Sequence, residues 1–179
     1  AKVREDFGLR PDTLLTTERM ASIRRNEGRV YNEASKVPAN DAPQSLLDFN
    51  SDIGAIRSPL RAARREAPTL LPNPKFDELI NEFESIADDI RRPLVTGRVL
   101  SSEAIVGLSR QFRANARANF TAIDPQLNEL AKAQKSFAEA LEKLLDRRIA
   151  GSKTPELGAR LISARKNSQI TRCRSVSCW

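Results

Sequence analysis

Ten prolines, at positions 11, 38, 43, 59, 68, 72, 74, 93, 125 and 155, set the limits on what this 179-residue sequence can fold into. Proline suits the first turn of a helix but breaks a helix interior or a central strand. Long elements therefore fit only between these positions. Most of the intervals carry apolar residues at helical spacing, and none alternates with period two. Only Val95 to Leu100 reads as briefly extended.

The first interval predicts a helix over 17–36, with Thr17 as its cap and Met20, Ile23, Val30, Tyr31 and Ala34 at helical spacing; Gly28 weakens its middle. From Val37 to Pro74, where six of the ten prolines fall, two short helices are expected, near 43–49 and 59–66. The second half is more regular. Phe76, Leu79, Ile80, Phe83, Ile86, Ala87 and Ile90 form a stripe over 74–92, with acids in the first turn and Arg91 and Arg92 in the last, as the helix dipole favours. Ser101 or Ser102 caps a helix to about Phe120, burying Ile105, Leu108, Phe112, Ala116 and Phe120 or Asn119. Asp124-Pro125 opens the longest helix, to about Ala150, with an inward face from Leu127 to Ile149; Gly151 stands where a left-handed cap belongs. Thr154-Pro155-Glu156 opens the last helix, through about Ser168, with Leu157, Leu161 and Ala164 inward.

The expectation is an all-α fold: an antiparallel bundle of about four helices over 74–170, reached by short connections. Residues 1–73 read as an N-terminal helix and a proline-rich connection. Residues 171–179, with both cysteines and the only tryptophan, read as a disordered or non-native tail outside the fold.

The sequence contains no histidine, which removes Ser-His-Asp triads, Cys-His dyads and HExxH zinc sites. Cys173 and Cys178 alone cannot close a structural zinc site, and the seven glycines are too scattered for a phosphate-cradling loop. The acids Asp77, Glu78, Glu82, Glu84, Asp88 and Asp89 flank an apolar stripe and read as a solvated face. No catalytic residue, metal ligand or cofactor is therefore expected. The longest clean apolar run, Ala104 to Leu108, is far short of a bilayer span. Residues 1–8 lack the apolar core of a standard signal peptide.

Net charge is +7. Between Lys143 and Arg174, nine cationic residues face only Asp146 and Glu156, so the excess lies towards the C-terminal end. Two further stripes are Arg57, Arg61, Arg64 and Arg65, and Arg110, Arg113 and Arg117. The candidate contacts for a polyanion or a protein partner are Arg110, Arg113, Arg117, Arg147, Arg148, Arg165 and Lys166. Aromatic residues make up only 5%, which disfavours base stacking, so any nucleic-acid contact would be sequence-independent.

Five segments carry a resemblance: Thr96-Gly-Arg-Val-Leu-Ser-Ser-Glu-Ala104, the arginine- and alanine-rich helix Leu108 to Ala118, Asp124-Pro-Gln-Leu-Asn-Glu-Leu130, Ala138-Glu-Ala-Leu-Glu-Lys-Leu-Leu145 and Ser163-Ala-Arg-Lys166. Together they resemble the C-terminal helical region of large virion-associated structural proteins of tailed phages and prophages. The likeness ends at Asn167. It implies a non-enzymatic virion structural or assembly protein, made in the bacterial cytoplasm and packed inside the particle or assisting DNA delivery. Its partners would be other virion proteins in a homo- or hetero-oligomer, with non-specific DNA contact. The charge alone also fits a basic nucleic-acid-binding module or regulator without a virion role. A third reading is an adaptor whose residues 1–73 fold onto a host partner.

Overall fold

The structure, a computed structural model, describes residues 16–66, the positions 77, 78, 80, 81, 84, 85 and 88, and the ranges 100–120 and 125–176. The described residues form helices and connections with no strand. Five helices are bounded: α1 (Thr17–Ser35), α2 (Pro43–Glu66), α3 (Ser102–Phe120), α4 (Pro125–Ala150) and α5 (Glu156–Val176). The described positions between 77 and 88 are helical as well. The chain is an all-α helical bundle.

α4 is the central element. It packs against α3 along most of its length, against α2 on another side and more lightly against α5. This explains its unusually wide apolar surface. Leu130, Ala131, Phe137, Ala138, Leu141, Leu144, Leu145 and Ile149 are all buried, whereas a helix with one packed side buries a narrower stripe. Phe137 meets Phe112 of α3 edge to face, with ring centroids 4.6 Å apart and an interplanar angle of 70°. α1 closes the bundle by packing on α5 and α3.

Packing carries straight across residue 73. Val30, Ala34 and Val37 from the α1 end, and Phe49, Ile53 and Leu60 from α2, belong to the same apolar core as Ile80, α3, α4 and α5. Most expected inward residues are inward, including Leu157, Leu161 and Ala164 of α5. Phe120 is not: it is 45% exposed, and Asn119 turns inward to donate its side-chain amide to Gln134 Oε1 at 3.0 Å.

Several boundaries differ from expectation. Thr16, not Thr17, caps α1, accepting from the Arg19 backbone N–H at 3.2 Å. The two expected short helices are one, because α2 runs through Pro59. Ile53 and Leu60 anchor it to the core on either side of that proline, and this burial outweighs the missing hydrogen bond. Ser101 caps α3 through the Ala104 N–H at 3.1 Å, which frees Ser102 for an interior role. Gly151 is not left-handed, and a Cβ there would make ordinary contacts with the Arg147 and Arg148 carbonyls at 3.7 and 3.8 Å. α5 continues to Val176, so residues 171–176 extend the last helix rather than forming a disordered tail. Cys178 and Trp179 lie outside the described residues, as do Asp124, Leu79, Glu82, Phe83, Ile86, Ala87 and 89–99.

Candidate anion-binding cleft

Ion pairs connect the helices of this bundle, and they sort the seven candidate cations. Arg148 of α4 is interior, its side chain and that of Asp41 each 1% exposed. Its Nε and Nη2 donate to the Asp41 carboxylate at 2.8 and 2.6 Å, and its Nη1 donates to Ser102 Oγ at 2.8 Å. Ser102 in turn donates to the Val37 carbonyl at 2.6 Å. The group ties the end of α4 to the α1–α2 connection and to the start of α3. Arg148 is therefore a structural residue and not a polyanion contact: burial of an unpaired arginine would be prohibitive, and the fold supplies its carboxylate.

Arg147 is also engaged. Its guanidinium lies 3.8 Å from Asp48 and 3.7 Å from Asp52, and it donates to the Ser45 carbonyl at 3.3 Å, fastening α4 to α2. Lys166 is exposed and lies apart from the other candidates' cleft. The acids at 84 and 88, expected as a solvated face, pair with α2 at 3.4 Å each: Glu84 with Arg61, Asp88 with Arg57.

The remaining four candidates converge. Arg110, Arg113 and Arg117 of α3 and Arg165 of α5 line a cleft of about 310 Å³, joined by Arg24 of α1. Helical spacing explains the α3 contribution, since positions 110, 113 and 117 share one face. Arg24 adds a fifth guanidinium that no stripe in the sequence singled out; its Arg24-Arg25 pair was the available signal. Glu27 and Glu142 are the only carboxylates in the lining, leaving five cations against two anions, a net +3. A second hollow of about 400 Å³ between α2 and α4 shows no such excess, with three acids against two lysines.

Glu142 organises the cleft. Arg113 Nε and Nη2 grip its two carboxylate oxygens at 2.7 and 2.8 Å. This fork-to-fork bond, outweighing partial burial, raises the Arg113 pKa above its ordinary value. Arg165 approaches the same carboxylate at 3.8 Å and donates from Nη1 to Asp146 at 2.7 Å. Arg110 has a different support: its guanidinium carbon sits 4.5 Å from the centre of the Tyr31 ring. Tyr31 is half-buried, and desolvation raises its phenol pKa above 10.0; Glu142 adds to the rise, while Arg165, Arg110 and Arg113 oppose it.

Among the described residues no group of three or more potential ligands could hold a metal ion, and no helix is long and apolar enough to cross a membrane. Compared with known protein families, curated proteins and solved structures, the chain finds no match.

Proposed function

We propose that this chain is a non-enzymatic structural or assembly protein of a tailed-phage or prophage particle, internal or associated with DNA delivery, acting through helix packing. The observation that carries the reading is where the charge goes. Ion pairs join α4 to α3 through Arg113–Glu142, α4 to α2 through Arg147–Asp48, α5 to α1 through Arg160–Glu33 at 2.7 Å, and α5 to α4 through Arg165–Asp146. A protein built for packing holds its cations in this way, whereas one built to coat nucleic acid leaves them in solvent. The resemblance of the segments on α3, α4 and α5 to virion-associated proteins supplies the particle. Mass spectrometry of nuclease-treated, purified particles from the producing strain tests the reading. Peptides of this chain at a fixed copy number are expected; clean particles lacking them overturn it.

A second reading, sequence-independent contact with DNA, is favoured by α1. Arg19, Arg24, Arg25 and Arg29 are exposed there, and none has a carboxylate partner among the described residues. Four phosphate contacts predict an affinity for a 20-base-pair duplex whose logarithm falls with that of salt at a slope of about −3 to −4. A slope near zero removes this reading.

A further inference from the structure

We infer that the cleft between α1, α3 and α5 is a binding site for a phosphoryl group, with Arg24 and Arg110 as its principal ligands and Arg113 as a third donor. The inference goes beyond the structural role above and does not depend on it.

Three observations carry it. The first is the contrast in pairing. Cross-helix arginines elsewhere in the bundle end on carboxylates at Arg148–Asp41, Arg160–Glu33, Arg147–Asp48 and Arg165–Asp146. Arg24 and Arg110 end on none among the described residues, yet both point to the same cavity. The second is preorganisation. Arg110 lies over the Tyr31 ring, a contact that holds its guanidinium in the wall of the cleft without using a carboxylate. Arg113 is held by Glu142 through Nε and Nη2, so its Nη1 amino group remains for a ligand. The third is charge and size. The five lining guanidinia against Glu27 and Glu142 leave a net +3 in about 310 Å³, and still +2 when Asp146, the partner of Arg165, is counted with them. A dianion with three acceptor oxygens matches several converging forks. The hollow is too small to admit a duplex or a folded partner, and lies at the small end of ligand pockets.

The same chemistry comes from free inorganic phosphate or from the end of a phosphomonoester. Gly28, which lines the cleft, offers a way to block it: a Cβ there meets nothing within 4 Å, so a larger side chain enters the open space without a clash.

The test is calorimetric titration of the full chain at constant ionic strength, with sodium phosphate, a nucleoside 5′-monophosphate and acetate as separate titrants. Because Tyr31 is the only tyrosine, its near-ultraviolet difference spectrum reports occupancy of this site. Saturable one-to-one binding is expected, with phosphate at least ten-fold tighter than acetate and a tyrosine difference signal that saturates with the heat. Arg24→Gln, Arg110→Gln and Gly28→Met should each weaken phosphate at least ten-fold with helical circular dichroism unchanged. Tighter binding of the monophosphate than of free phosphate identifies an ester as the ligand; equal or weaker binding identifies the free ion. The proposal is overturned if neither phosphate titrant binds, if acetate binds as tightly, or if binding survives both Arg24→Gln and Gly28→Met.

Discussion

Replacing Arg148 by alanine attacks an enclosed ion pair whose two side chains are each 1% exposed. The wild-type guanidinium makes three hydrogen bonds, two to Asp41 and one to Ser102. The substitution leaves the Asp41 carboxylate buried with its counter-charge gone. Removing one partner of a buried pair costs about 3–5 kcal/mol. Against a typical domain stability of about 5–15 kcal/mol, this is about a fifth of the total or more. With a urea slope of about 2 kcal/mol/M, the midpoint of unfolding followed at 222 nm should fall by about 1.5–2.5 M. Asp41→Ala should cost a similar amount by stranding the arginine. The double variant should lose much less than the two single losses combined, because it leaves neither charge alone. A single-variant loss below about 1 kcal/mol, or strict additivity, would refute the assignment of this pair as the tie between α4 and the α1–α2 connection.

Three further outcomes are expected. Pro59→Ala should stabilise the protein by about 1–3 kcal/mol in the same denaturation experiment, since proline in a continuous helix lacks one backbone donor; a loss would place a helix start at that position. Tyr31, neutral and favoured in the fold, contributes stability that is whole below pH 10.0 and is lost as pH rises from there through its raised folded value; absorbance at 295 nm should show a native midpoint above that of the urea-unfolded chain, and equal midpoints refute the burial argument. Phe137→Ala should cost about 3–5 kcal/mol, because the ring is fully buried and stacked edge to face on Phe112; a midpoint shift under about 0.5 M in urea would mean that α3 and α4 do not meet there.

Much of this fold is legible in the sequence, and the exceptions share a cause. The inward faces of α4 and α5 follow from spacing alone because apolar burial imposes a period that survives in any context. The break expected at Pro59 fails because a local rule met a tertiary contact: Ile53 and Leu60 are worth more together on α4 than the bond that proline omits. The extension of α5 to Val176 is not legible in the sequence because its last turns carry no clear apolar stripe. Charge was the hardest quantity to read. Arg113, Arg147 and Arg148 look alike in sequence, yet one shapes a cleft, one fastens α2 and one is interior. What separates them is the position of Glu142, Asp48 and Asp41, and the acid that answers Arg148 lies 107 residues away. No local pattern records such distances. The arginines at 110, 113, 117 and 165 are visible singly in the sequence, whereas their convergence with Arg24 depends on α1 packing on α3.

The pairing of α1 with α5 sets a clock on synthesis. Glu33 and Arg160 are 127 residues apart, so the partner of α1 is made long after α1 itself. At a translation rate of about 5–20 residues per second, Val30 and Ala34 wait on the order of ten seconds for their surface to exist. During that interval α3 and α4 can already form their hairpin and offer α1 its α3 contact, whereas the side of α1 that meets α5 has only solvent or a chaperone to cover it. A ribosome paused before α5 would therefore hold a nascent chain with its centre assembled and α1 covered on one side only, the state from which proteolysis or aggregation would begin.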